Sequence, residues 1–171
     1  MKLKALSTLF TLLGLTFFAH AESLQVGAPA PSVTAPDQNG QSVDLKEVFA
    51  KGPTLVYFYP KADTPGCTKQ ACSIRDEWAD LQKKGIQVIG VSGDKPEAQK
   101  AFQEKYKLPF TLLADSEGKV AEAFGVPFKN GISKRESFLI KDGKVVWTMP
   151  KASTATHAQD VLKAYEALEK A

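Results

Sequence analysis

Sulfur and imidazole are scarce in this 171-residue chain, which has two cysteines, Cys67 and Cys72, and two histidines, His20 and His157. Four tetrahedral ligands for zinc cannot be drawn from two cysteines and the one histidine outside the N-terminal segment without recruiting a carboxylate. Lysine and arginine never run together for more than two residues, so no basic tract for nucleic acid is present. Internal repeats and low-complexity tracts are also missing. The apolar stretch from Ala5 to Phe18 falls short of the roughly 20 residues that span a bilayer.

That apolar stretch follows a positive start, Met1-Lys2-Leu3-Lys4, and precedes Ala19-His20-Ala21, a small-x-small cleavage pattern. Residues 1–21 are therefore expected to be a signal peptide, with the mature chain starting near Glu22. No cysteine follows the apolar core, so a lipid anchor is not expected. In a Gram-negative cell the destination is the periplasm, where disulfides persist. Taking Lys2 and Lys4 from the 22 basic residues leaves 20 against 19 acidic ones, close to neutral. The remaining residues, 22–171, suit one domain.

Strand and helix patterns alternate along that domain. A proline-rich start (Pro29, Pro31, Pro36) leads to an Asn39-Gly40 hairpin turn before Gln41 to Leu45. Thr54 to Tyr59 is a β-branched and aromatic run bounded by Gly52-Pro53 and Pro60, which predicts a buried strand. Further strands are predicted over Gln87–Ser92 and Phe110–Ala114, with a helix from Pro96 to Tyr106 between them. A short helix is expected at Val120–Phe124 and a loop from Gly125 to Gly131. Next comes a hairpin of Glu136–Ile140 and Lys144–Met149 around Asp142-Gly143. A last helix is expected over Thr156–Leu168, with Ala158, Val161, Leu162, Tyr165 and Leu168 inward and His157 on its surface. This alternation predicts an α/β fold with a central mixed sheet covered by helices on both faces.

After the Thr64-Pro65-Gly66 turn, Cys67, Ala71, Ile74, Trp78 and Leu81 recur at the spacing of one helix face, and Gly85 ends the run. Cys67 falls in the first turn, where unpaired backbone N–H groups and the positive end of the helix dipole favour a thiolate over a thiol. Cys72 points to the flank with Asp76, Ala79 and Lys83 and should be the more exposed. On an ideal helix the Cα atoms of residues five apart are about 8.7 Å from one another. A disulfide needs less than about 7 Å. If the two cysteines bond, the first turns of the helix must unwind, which argues against a static staple.

The run from Tyr57-Phe58-Tyr59-Pro60 through Thr64-Pro65-Gly66-Cys67-Thr68 resembles the peroxiredoxin signature Pro-x-x-x-Thr-x-x-Cys. A second cysteine five residues on resembles the peroxiredoxin Q, or bacterioferritin comigratory protein, subfamily. Blocks at Val26–Pro31, Gly90–Asp94, Phe110–Asp115 and Arg135–Ile140 extend the resemblance over the mature chain. The resemblance implies a thioredoxin-like fold and a thiol peroxidase acting on hydrogen peroxide and small organic hydroperoxides. Cys67 would be the peroxidatic nucleophile and would become a sulfenic acid. Thr64 would hydrogen-bond the peroxide, Arg135 would favour the thiolate and the charge on the departing oxygen, and Pro60 would wall off one side. Cys72 would resolve the sulfenic acid as an intramolecular disulfide, to be reduced by a thioredoxin-like dithiol. No metal, haem or flavin cofactor is implied, and the subfamily favours a monomer. The peroxide pocket is expected around Phe58, Phe128 and Trp147.

Two rivals use the same fold. A copper relay protein would employ the two thiolates with a distant imidazole such as His157, although its cysteines usually have three residues between them, where this chain has four. A protein thiol–disulfide oxidoreductase expects Cys-x-x-Cys at the helix start, a closer pair than this chain has. Neither needs Thr64 or Arg135. Pro60 alone reads as a strand terminator and Thr64 alone as a helix cap; only their spacing to Cys67 makes them site residues.

Overall fold

The computed structural model describes residues 22–170; the expected signal peptide, residues 1–21, lies outside them. Strands β1 (Thr34–Pro36) and β2 (Ser42–Asp44) pair antiparallel around Asn39-Gly40, as their sequence predicts. The Asp37 carboxylate accepts the N–H groups of Asn39 and Gln41 at 2.8 and 2.9 Å and holds that turn. Helix α1 (Leu45–Ala50) starts on Asp44, whose carboxylate accepts from Lys46 N at 2.8 Å.

Strand β3 (Thr54–Phe58) is buried at every position. It is followed by α2 (Pro65–Asp76) and α3 (Trp78–Lys83), then β4 (Gln87–Ser92), α4 (Pro96–Tyr106), β5 (Thr111–Ala114) and α5 (Lys119–Ala123). After the short strands β6 (Phe128–Lys129) and β7 (Ile132–Ser133) come β8 (Ser137–Lys141), β9 (Lys144–Met149) and α6 (His157–Glu169). The central sheet has the order β5-β4-β3-β8-β9. Strands β3, β4 and β5 are mutually parallel, and β8 and β9 run antiparallel to their neighbours. This is the thioredoxin-like architecture of a mixed sheet between helical layers.

The pleat of β3 sorts its side chains between two cores. Leu55, Tyr57 and Tyr59 pack with Cys67, Ala71 and Ile74 of α2, Leu81 of α3, Phe102 of α4 and Ala158, Val161 and Tyr165 of α6. Val56 and Phe58 pack on the other face with Leu45 and Phe49 of α1 and Val120 and Ala121 of α5. With both faces covered, β3 reads as one unbroken apolar run rather than an alternating one. Each large side chain so buried contributes about 1.5–3 kcal/mol, so the strand that delivers the cysteine loop is among the most firmly held parts of the molecule.

Several expectations need revision. The cysteine helix is two helices, because Glu77 (φ −97°, ψ 12°) leaves helical geometry between α2 and α3. Ile74 and Leu81 remain fully buried across the break and Trp78 half-buried, so the apolar stripe carries no trace of it. Leu168 in the last turn of α6 is exposed and Leu162 only half-buried. The loop expected from Gly125 to Gly131 contains β6 and the turn of the β6–β7 hairpin, closed by Asn130 (φ 53°) and Gly131 (φ 75°). Those left-handed angles are what a two-residue Asn-Gly turn requires. The hairpin lies so close to the end of β4 that a Cβ on Gly93 would stand 2.1 Å from the Gly131 carbonyl oxygen. Among the described residues, no helix is long and apolar enough to cross a membrane.

Candidate active site

The loop that delivers Cys67 is anchored before the helix begins. The chain leaves β3 through Tyr59, whose N–H donates to Val91 O at 3.0 Å and whose carbonyl accepts from Ser133 Oγ at 2.9 Å. Pro60 follows, half-buried. The Ala62 N–H donates to Asp94 Oδ2 at 2.7 Å, and Ser92 Oγ donates to the same oxygen at 2.7 Å, tying the loop to the end of β4. Asp63 sits at φ 56°, a left-handed angle uncommon outside glycine. Its carboxylate takes Lys105 Nζ at 2.7 Å and Tyr106 Oη at 2.6 Å from α4. Those hydrogen bonds, Lys105 first, hold the Asp63 carboxyl below its usual range.

Thr64 is the N-cap of α2 in extended geometry, but its hydroxyl donates to Lys61 O at 2.9 Å instead of capping the helix. Pro65 occupies the first helical position, where its missing N–H leaves nothing unpaired. The first bond of the helix is Thr68 N to Thr64 O at 2.8 Å. The N–H groups of Gly66 and Cys67 therefore precede the first intrahelical donor, Thr68 N, and remain for an anion or a polar oxygen at the sulfur.

Cys67 is 2% exposed and carries a free thiol. Arg135, half-buried just before β8, donates from Nη2 to Cys67 Sγ at 3.3 Å. Its Nη1 donates to Gln70 Oε1, on the next turn of α2. The other end of that amide, Gln70 Nε2, stands 3.1 Å from His157 Nδ1. Four residues thus form one polar chain, from the sulfur through the guanidinium and amide to the first residue of α6. Around it the walls are aromatic: the Tyr57 ring lies 5.4 Å from Tyr59 and meets His157 edge-on at 5.8 Å.

Burial sets the protonation of this wall. His157 is lowered to about 4, chiefly by desolvation and also by the Arg135 charge, against the opposing pull of Asp160. Desolvation raises the Tyr57 and Tyr59 hydroxyls well above their ordinary values. At neutral pH the chain therefore presents one fixed cation, Arg135, to the sulfur from a neutral surround. Such a site stabilises negative charge on Sγ and on an oxygen departing beside it.

The structure brings Cys67 and Arg135 into contact and places Thr64 at the head of the same helix. Pro60 stands at the exit of β3. Cys72 is half-buried on the helix flank, more exposed than Cys67, and its thiol is free. With both cysteines on wound α2, the pair cannot bond without unwinding the helix. Phe58 is not near the sulfur: it packs edge-on to Phe124 and Phe138 at 5.4 and 6.0 Å on the opposite sheet face, where Phe128 also lies. Of the three expected pocket aromatics, Trp147 alone packs against the core that holds Cys67.

His157 also departs from expectation, since it is fully buried rather than on the surface. Its position was readable in principle, because 157, 161 and 165 are spaced four apart on the buried face of α6. Gln70 carried a similar signal, a polar residue one turn beyond Cys67 on an inward-facing helix. Among the described residues, no group of three or more His, Cys, Asp or Glu is placed to hold a metal ion.

A family model described as AhpC/TSA matches residues 26–148. Peroxiredoxin Bcp of Escherichia coli K12 is 46% identical over 147 residues, covering 81% of this chain and 94% of its own. The crystal structure of peroxidoxin BcpB from Mycobacterium tuberculosis superposes with a TM-score of 0.80 at 33% identity, covering 85% of this chain and 98% of that one. The bacterioferritin comigratory protein of Xanthomonas campestris, solved in a study of its alkyl peroxide reduction activity, gives a TM-score of 0.76 at 27% identity over 84% of this chain and 99% of its own. With the matched region running from ahead of β1 through β9 and enclosing Cys67, Cys72 and Arg135, the chain belongs to the AhpC/TSA family, as a peroxiredoxin of the Bcp/peroxiredoxin Q branch.

Proposed function

We propose that the protein is a thiol peroxidase in which Cys67 reduces hydrogen peroxide and small organic hydroperoxides. The observation that carries the residue assignment is the Arg135 guanidinium at 3.3 Å from Cys67 Sγ, in the first turn of α2. The thiolate attacks one peroxide oxygen; the O–O bond breaks as the S–O bond forms, and the leaving hydroxide or alkoxide takes a proton to become water or alcohol. Sulfur is oxidised by two electrons to the sulfenic acid. Arg135 and the N–H groups of Gly66 and Cys67 supply donors where charge develops. Thr64 donates to the bound peroxide once its hydroxyl turns from Lys61 O, and Pro60, lacking an N–H, shields one side.

Cys72 then attacks the Cys67 sulfur, water leaves, and the Cys67–Cys72 disulfide forms as α2 unwinds. An external thioredoxin-like dithiol returns both thiols by exchange through a mixed disulfide, supplying the two electrons and leaving as its own disulfide. Coupled peroxide consumption tests the roles. Cys67→Ser is expected to abolish turnover, and Cys72→Ser to allow one reaction and then stall; full turnover by Cys67→Ser refutes the assignment.

Residues 1–21 support a reading in which the chain is exported, cleaved before Glu22 and active in the periplasm, and the likeness to the peroxiredoxin Q branch supports a monomer. The N-terminal sequence and sedimentation of the protein recovered from a periplasmic fraction test it. An uncleaved or cytoplasmic chain, or a stable oligomer, counts against the corresponding part.

A further inference from the structure

We propose that His157 is a positioning residue for Cys67, acting through Gln70 and Arg135 on the guanidinium that faces the sulfur. This rests on the peroxidase reading and adds a residue from an element, α6, that carries none of the peroxiredoxin motifs.

Donor and acceptor chemistry fixes the direction of the chain. Arginine only donates, so the Gln70 group facing Arg135 Nη1 is the carbonyl Oε1. The Gln70 NH2 must then point the other way, into a region where Gln70 itself is 0% exposed and cannot turn to water. His157 Nδ1, at 3.1 Å, is the acceptor it finds. The imidazole therefore carries its proton on Nε2 and leaves a lone pair on Nδ1. Without that lone pair the Gln70 amide loses the partner that orients it. Rotated by half a turn, it would set an NH2 against the guanidinium, donor against donor, and Arg135 would have no fixed seat. A buried polar group without its partner is not tolerated cheaply, so either Gln70 or Arg135 shifts.

His157 is held by packing and by its Nδ1 alone: it is 0% exposed, its Nε2 has no hydrogen-bond partner, it starts α6 and it lies edge-on to Tyr57 at 5.8 Å. Gln70, by contrast, lies between Cys67 and Cys72, in the segment that must unwind for the disulfide. The His157–Gln70 contact thus exists only while α2 is wound, so it favours the peroxide-reactive form and releases when resolution begins.

The test is the rate of oxidation of Cys67 by hydrogen peroxide at neutral pH, by stopped flow, in the full mature chain, its His157→Leu variant and its His157→Asn variant. Leucine nearly refills the space of the ring but has no acceptor, whereas the Oδ1 of asparagine falls near the place of Nδ1 but leaves more empty volume. His157→Leu is expected to slow oxidation about 10- to 100-fold, the scale of a small misplacement of a catalytic group. His157→Asn should stay within about threefold of the wild type. A packing role orders the variants the other way, since the larger void is the more damaging. A wild-type rate in His157→Leu, or a slower rate in His157→Asn than in His157→Leu, overturns the proposal. Gln70→Met breaks the same chain without touching α6 and keeps the test readable should the leucine variant fail to fold. It too must be slow, and a wild-type rate there is a refutation. A wild-type chain that does not react with peroxide at all removes the peroxidase reading itself; a reactive wild type with an equally reactive His157→Leu removes only the positioning role.

Discussion

Acidification should destabilise this protein through His157 in a way that one substitution removes. Burial holds the folded-state value of His157 at about 4, against 6.5 for the free side chain. A folded value below the unfolded one means that the unfolded chain binds the proton first as pH falls. Stability from the neutral, buried ring is therefore complete above about pH 6.5 and drains away as pH falls toward about 4. Between pH 7 and 5 the loss is about 2 kcal/mol, rising to about 3 kcal/mol below both values. Asp115 works the other way, because its burial raises its carboxyl, so the comparison must be a double difference. Urea unfolding of the reduced protein at pH 7 and pH 5, in wild type and His157→Asn, isolates it, since Asp115 is common to both. The wild type should lose about 2 kcal/mol more than the variant over that interval. Equal losses would show that His157 is not held neutral by burial, and the donor–acceptor argument that links it to Gln70 would fall with it.

Arg135→Lys replaces a fork that reaches both Cys67 Sγ and Gln70 Oε1 with a single ammonium that cannot hold both; the second-order rate with hydrogen peroxide should fall by about 100-fold or more. Unwinding of α2 in the disulfide form should speed amide exchange at Thr68 to Ser73 relative to the reduced form, and equally slow exchange in both forms would contradict it. Gly93→Ala drives a Cβ to 2.1 Å from the Gly131 carbonyl oxygen, so thermal or urea unfolding should register a loss of about 1–3 kcal/mol, and an unchanged midpoint would show that the β6–β7 hairpin yields freely.

What the amino-acid pattern revealed, and what it hid, has physical reasons. The β3 strand, the cysteine at a helix start and the last hairpin were legible because local chemistry and tertiary role agree there: proline and glycine punctuate, and periodicity marks the buried face. The break at Glu77 left no mark because α3 continues the stripe of α2. The β6–β7 hairpin had its Asn130-Gly131 signal, but two-residue strands have no alternation to support it. His157 and Gln70 were misread or passed over because a lone polar residue is ordinarily assigned to the surface. Their burial is decided by a partner far off in the chain, and only Arg135, 65 residues from Gln70 in sequence, makes sense of both. Phe58 was placed beside the sulfur by its nearness in sequence, and the pleat of β3 sends it to the opposite face.

The most direct test of the central claim is the mass of the mature protein after one equivalent of hydrogen peroxide, with thiol counting and peptide mapping, beside the Cys72→Ser variant. If Cys67 is peroxidatic and Cys72 resolving, the wild type loses two hydrogens and yields a Cys67–Cys72 bridge, and the variant gains one oxygen, as sulfenic acid, at Cys67. Rapid oxidation elsewhere, or a Cys67 that stays a thiol while peroxide persists, would contradict it.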